Sequence, residues 1–199
     1  MKLENRYFSM RHGKSNANLK GIIVSHPLYG IGNEFTLSET GEEQVRQSAF
    51  KARAEGLLDA GTFIFSSLFS RAKKTAEIVK EVLEIQSQIC FDNRLRERWF
   101  GQLEGKSNSN YQKVWDRDIQ NGDCQDFGVE SASQVQSRVK SLIDELENNH
   151  SDKKILLVSH GDVLQILQTV FLKKSARKHR QVPHLELAEI RELIYSTIL

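Results

Sequence analysis

The 199-residue sequence predicts an α/β fold with a largely parallel sheet covered by helices on both faces. Short β-branched and aromatic runs alternate with longer stretches of helical periodicity. The run Ile155-Leu156-Leu157-Val158 is unbroken in its apolar character, as expected of a central strand buried on both sides. No internal repeat, low-complexity tract or linker divides the chain. Residues 1–199 therefore read as one domain, long enough for a full core.

Tyr7–Met10 is too short for a helix and rich in apolar types, which predicts the first strand. Gly13 permits a sharp turn after it. Asn16 to Phe35 is rich in Gly, Asn and Ser, contains Pro27, and reads as loop with one helical turn. Ser38 is the candidate N-cap of a helix running to about Glu55. Its stripe of Gly41, Val45, Ala49 and Ala52 suits close packing on a sheet. Thr62–Ser67 is a second strand, and Ser70 to Leu83 a helix with Ala72, Ala76, Val79 and Leu83 at helical spacing. Gln88–Phe91 predicts a short edge strand and Asp92 to Lys106 a structured loop. Tyr111 to Ile119 predicts a helix anchored by Val114 and Trp115, followed by a turn-rich loop over Asn121 to Gly128. Ser131 to Glu147 is a helix with Val135, Val139, Leu142 and Leu146 on one face. The strand Ile155–Ser159 leads into a helix over Asp162–Phe171. Beyond the basic run Lys173 to Arg180, Leu185 to Ile194 alternates well enough for a final strand.

Composition narrows the partners. A net charge of +2 is too small to argue for nucleic acid. Cys90 and Cys124 lack metal-ligand spacing and read as reduced thiols of a cytosolic protein, although sequence alone leaves a disulfide open. The charged start Met1-Lys2-Leu3-Glu4-Asn5-Arg6 leaves no room for a signal peptide's apolar stretch, and no run approaches a membrane span. The expectation is a cytoplasmic monomer or homodimer with no nucleic-acid or membrane partner.

Three strand ends carry unusual charge. The first predicted strand stops at Arg11-His12-Gly13, the fourth at His160-Gly161, and Thr62–Ser67 leads to Arg71. In open α/β sheets, sites form beyond the carboxyl ends of the strands. Arg11, His12, Arg71, Glu97 and His160 all follow predicted strands, so the fold alone can gather them at one rim. Two arginines and two histidines around one point make an anion site. Arginine's planar fork holds two phosphate oxygens at once and stays charged. Asn18 and the backbone amides near Gly13 and Gly161 add neutral donors. A phosphate neutralised this way needs no metal. Neighbouring arginines keep an imidazole neutral and hence nucleophilic. Glu97 is the natural proton donor to a leaving alcohol.

The motifs go further. Arg11-His12-Gly13-Lys14-Ser15-x-x-Asn18 resembles the signature of the histidine phosphatase (phosphoglycerate mutase-like) superfamily. Leu37-Ser38-x-x-Gly41-x-x-Gln44, Ser67-x-x-x-Arg71-Ala72-x-x-Thr75-Ala76 and Leu95-Arg96-Glu97-x-x-Phe100-Gly101-x-x-Glu104-Gly105 are similar to further motifs of that family. Glu130-Ser131 with Arg138, then Val158-Ser159-His160-Gly161, complete the set. The resemblance implies a three-layer α/β/α, phosphoglycerate mutase-like fold and no cofactor or metal. It implies that His12 is phosphorylated, that Arg11, Arg71 and His160 form the phosphate pocket, and that Glu97 is the proton donor and later the base for water. Asn18, Ser15, Lys14 and Gly161 are the expected substrate contacts. Lys14 stands where the family usually has an acidic residue and would add charge at the pocket mouth. Trp99, Phe100 and Trp115 read as packing groups, with Trp99 near enough to the donor to touch a leaving group. His184 after Pro183 reads as structural ahead of a place near the pocket, and Lys173 to Arg180 as a solvated loop ahead of a basic segment that draws anionic substrates by long-range attraction.

The expected function is a metal-independent phosphomonoester hydrolase acting on a small phosphorylated metabolite through a phosphohistidine. The alternatives are phosphoglycerate mutase-type transfer and a non-catalytic phospho-ligand or protein-binding relative. Only a short segment separates Gly105 from Glu130, where the mutases resembled carry a longer insertion over the site. An open site admits water to the phosphohistidine.

Overall fold

Side chains alternate between the two faces of a strand, and in β1 (Arg6–Arg11) both faces are buried. Tyr7 joins a core with Ile155, Leu157, Val139 and Leu167, while Phe8 and Met10 join another with Ile64, Leu156, Val45 and Val79. A sheet with two buried faces needs a helical layer on each. The computed structural model, which describes residues 3–195, has that three-layer form. Helices α3 (Glu39–Ala54) and α4 (Ser70–Val82) cover one face; α6 (Ala132–Asn149) and α7 (Gly161–Phe171) cover the other.

The sheet comprises β1, β2 (Phe63–Ser66), β3 (Cys90–Phe91), β4 (Lys154–Ser159) and β5 (Ile190–Leu193), in the order β3-β2-β4-β1-β5. Pairings β1–β4, β2–β4 and β2–β3 are parallel; β5 runs antiparallel on the edge of β1. The unbroken apolar run of residues 155–158 is thus the middle strand. β1, β2 and β4 end side by side, with Arg11 paired to Ser159 and Ser66 to Val158.

Some local expectations need correction. Residues 16–35 are not loop with one turn: α1 (Asn16–Lys20), α2 (Pro27–Gly30) and a 3-10 turn at Asn33–Phe35 occupy them. The polar residues that suggested loop are caps. Ser15 and Asn18 form a reciprocal capping box, and His26 accepts from the Leu28 amide with Pro27 at the first helical position. The last strand is shorter than residues 185–194, because Leu185 is fully buried in the core and the chain turns at Ala188, φ 61°. Gly13 is not a positive-φ turn residue. It is needed for space: a Cβ there would lie 2.5 Å from the Gly41 carbonyl oxygen, and one on Gly41 would lie 2.0 Å from the Lys14 carbonyl oxygen. The chain after β1 therefore lies directly on the first turn of α3. Cys90 and Cys124 are both free.

Candidate active site

Beyond the ends of β1, β2 and β4 lies a cavity of about 300 Å³. Arg11 and His12 reach it from the end of β1, Arg71 from the first turn of α4, and Gly161 from the start of α7. Glu97 enters from the segment after β3, and Ser15 and Asn18 from α1 and its cap. His160 sits immediately behind, fully buried, its ring centroid 5.2 Å from that of His12.

His12 is held in one tautomer. Its Nδ1 lies 2.8 Å from the Gly13 carbonyl oxygen, which can only accept, so Nδ1 carries the proton. Nε2 is left with its lone pair, which accepts a hydrogen bond from Arg71 Nε at 3.1 Å. Burial, then Arg71 and Arg11, hold the imidazole pKa well below 6.5, so the ring is neutral at neutral pH. His160 is neutral for the same leading reason, burial, followed by Arg71. Its Nε2 is 2.9 Å from the Ser67 hydroxyl and its Nδ1 is 3.6 Å from Glu97 Oε2.

Glu97 is buried, and its carboxyl is pushed up to about 7. Burial is the largest cause; Arg71 opposes it and Asp162 reinforces it. Arg71 Nη2 is 3.5 Å from Oε2, too long to offset the lost hydration. The Arg98 amide donates to Oε1 and fixes the side chain.

Four buried nitrogens around this point have no partner within the protein: Arg11 Nε, Arg71 Nη1, His160 Nδ1 and His184 Nδ1. An unsatisfied buried polar atom costs about 1–3 kcal/mol, more when charged. Clustered donors of this kind fit an oxyanion with several oxygens. The first amide of α7, at Gly161, has no intrahelical partner, and Gly161 lines the same cavity.

Placement of the expected substrate contacts is uneven. Ser15 and Asn18 line the cavity, but Ser15 Oγ and Asn18 Oδ1 cap each other, so only the Asn18 amide nitrogen is left to a ligand. Gly161 lines it too. Lys14 does not: its backbone is tied to Gln44 and Ser38, and its side chain is outside the lining. Trp99 packs against His26, also outside. His184, expected to be structural, lines the cavity with its Nε2 2.7 Å from Arg11 Nη1. Tyr111, Trp115 and Asp162 were missed as site residues. The signal for the first two was an aromatic pair one turn apart on an otherwise polar stretch; for Asp162 it was position, directly after His160-Gly161.

Supporting groups explain the remaining motifs. Glu104 accepts from the Ser25 amide and hydroxyl and the His26 amide, tying the α1–α2 connection to the acid-bearing segment. Glu130 pairs with Arg96 and Arg138 on that segment's other side. Among the described residues, no group of three or more His, Cys, Asp or Glu side chains is placed to hold a metal ion, and no helix is long and apolar enough to cross a membrane.

The geometry defines a class: an α/β protein with a cavity at its strand ends lined by two arginines and a buried histidine. Residues 8–197 match the histidine phosphatase superfamily (branch 1), and the chain belongs to that family. A probable phosphoglycerate mutase GpmB of Salmonella paratyphi A is 31% identical over 180 residues, covering 88% of this chain and 78% of the relative. Among solved structures, a mycobacterial glucosyl-3-phosphoglycerate phosphatase matches with a TM-score of 0.77 at 23% identity, over 94% of this chain and 91% of the other. A phosphoserine phosphatase of Entamoeba histolytica matches with a TM-score of 0.73 at 22% identity, over 97% and 92%. These structures share the fold.

Proposed function

We propose that the protein is a metal-independent phosphomonoester hydrolase that works through a phosphohistidine at His12 on a small phosphorylated metabolite. The observation that carries this reading is the locked tautomer of His12, which leaves Nε2 unprotonated among unpaired donors and beside a protonatable Glu97. Phosphoryl oxygens take the free hydrogens of Arg11, Arg71 and His160. Nε2 attacks phosphorus, the P–O ester bond breaks, and Glu97 gives its proton to the leaving oxygen. The ionised Glu97 then takes a proton from water as that water attacks phosphorus. The P–N bond breaks, and phosphate and neutral His12 are restored.

The name of the Salmonella relative favours a second reading, return of the phosphoryl group to a sugar acid. One assay separates the two. Phosphate release from p-nitrophenyl phosphate in excess chelator should fall by about 10³-fold or more in His12→Ala, and acid-labile phosphoprotein should be trapped in the wild type alone. Undiminished release in His12→Ala, loss of release in chelator, or phosphoglycerate interconversion faster than hydrolysis would each sink the hydrolase reading. Two free cysteines support a reducing, cytoplasmic setting, which cell fractionation tests.

A further inference from the structure

The two arginines of the cavity spend their hydrogens differently. Arg71 donates from Nε to His12 and from Nη2 to the Val24 carbonyl, so only its Nη1 is without a partner. Arg11 is committed at the opposite end. Its Nη1 has two hydrogens and two acceptors, His184 Nε2 at 2.7 Å and the Leu185 carbonyl oxygen at 3.0 Å. Its Nε is buried without a partner, and among the described residues its Nη2 makes no hydrogen bond. In a planar guanidinium, Nε–H and one Nη2–H share an edge, and such an edge grips two oxygens of one oxyanion. Arg11 keeps that edge whole. In Arg71 both of its nitrogens are already engaged.

What stands behind Arg11 is built with care. Arginine can only donate, so His184 Nε2 accepts and the neutral ring carries its proton on Nδ1. Burial, then Arg11, lower the His184 pKa from 6.5, which favours that neutral form. The chain that carries His184 is pinned at three successive carbonyls. Val182 accepts from Gln165, Pro183 from Gln168 and Arg191, and His184 from Arg191. Gln165 and Gln168 are buried side chains of α7, and Arg191 belongs to β5, where Glu189 holds its guanidinium. Gly161 leaves room for the pair: a Cβ there would lie 3.1 Å from both Arg11 Nε and His184 Cε1. An arginine fixed in advance loses less side-chain freedom when its ligand arrives.

We infer that His184 is a positioning residue: through Nε2 it holds Arg11 so that the Nε–Nη2 edge is presented to the phosphoryl group. The inference rests on the hydrolase reading only for the group that Arg11 grips. The test compares His184→Gln, whose amide oxygen keeps an acceptor, with His184→Phe, which fills the space and has none. Calorimetry with inorganic phosphate should show His184→Phe weaker than wild type by about tenfold or more, and His184→Gln within about threefold of wild type. A cycle with Arg11→Ala asks whether the effect passes through Arg11. His184→Phe should lower kcat/KM on p-nitrophenyl phosphate by about tenfold in the wild-type background and by less than about twofold once Arg11 is gone. Thermal melts establish that each variant is folded, and His184→Leu, also without an acceptor, replaces His184→Phe if the latter does not fold. Wild-type affinity in His184→Phe, equal losses in His184→Phe and His184→Gln, or the same loss with and without Arg11 would each reduce His184 to packing and overturn the inference. No binding of phosphate by wild type at millimolar concentration would overturn it together with the anion pocket. Phosphate affinity that follows the acceptor, with no hydrolysis of any ester, would sink the hydrolase reading and leave the role of His184 standing.

Discussion

At Glu97 stability and catalysis pull in opposite directions. Its carboxyl is pushed from 4.5 to about 7, chiefly by burial. A carboxyl that holds its proton more tightly when folded stabilises the fold fully below its unfolded value. That stability is lost as pH rises from about 4.5 to about 7. At about 1.4 kcal/mol per unit the loss is about 3 kcal/mol. Glu97→Gln keeps the acceptor for the Arg98 amide and has no charge to bury. Its melting temperature should exceed that of wild type at pH 8.5, with the gap closing by pH 5. The same proton serves the leaving group. With an alkyl phosphate, kcat/KM should fall as pH rises through about 7, whereas the acid limb set by His12 lies well below 6.5. Glu97→Gln should lower kcat on an alkyl phosphate by about 10²–10⁴-fold and far less on p-nitrophenyl phosphate, whose leaving group needs no proton. A profile flat from pH 6 to 9 would remove Glu97 from the donor role.

At the scale of elements, the seating of the first turn of α3 on the chain after β1 decides where His12 points. Gly41 is an inferior helix former to Ala by about 1 kcal/mol, so propensity alone predicts that Gly41→Ala stabilises. Contact predicts the reverse, because the new Cβ would lie 2.0 Å from the Lys14 carbonyl oxygen. We expect contact to win: a loss of about 1–3 kcal/mol by thermal melting, with a larger proportional loss in kcat/KM. A stabilised, fully active Gly41→Ala would show that the loop yields freely. This contact also marks a limit of legibility. The small-residue stripe of α3 was readable as a packing face, but that Gly41 meets the loop rather than the sheet depends on three-dimensional placement. Likewise Ser15, Asn18 and His26 carry polar side chains whose capping roles emerge only once their helices exist.

Across the whole molecule, a buried ion cluster holds distant parts of the chain in register. Arg98 is fully buried and donates to Asp118 Oδ2 at 2.6 Å, Asp118 Oδ1 at 2.8 Å and Asp162 Oδ2 at 3.0 Å. It thereby joins the acid-bearing segment to α5 (Tyr111–Gln120) and α7. Arg98 differs in this from the arginines near it in sequence: Arg94 and Arg96 pair near solvent with Asp92, Glu145 and Glu130. Asp118→Ala leaves a buried guanidinium short of a partner and should cost about 3–5 kcal/mol, read as a large fall in melting temperature. A shift of only a degree or two would mean that Asp162 alone suffices. The strands, the main helices and the five central residues were legible because periodicity and strand-end position carry them. The place of Tyr111 and Trp115 at the cavity was not. Val114 and Trp115 mark a packing face, but the buried pair of Arg98 with Asp118 that ties this helix to the acid-bearing segment carries no periodic signal.

The hydrogen bond from Arg71 Nε to His12 Nε2 has one more consequence. The lone pair that would attack is occupied at rest, and an incoming electrophile must draw the guanidinium away to reach it. A phosphate ester brings the negative oxygens that do this; a carboxylic ester does not. The imidazole should therefore be chemically idle toward acyl donors, ignoring p-nitrophenyl acetate although its leaving group is the same nitrophenol. Discrimination between phosphoryl and acyl groups would then begin with access to the nucleophile, before any bond is made or broken.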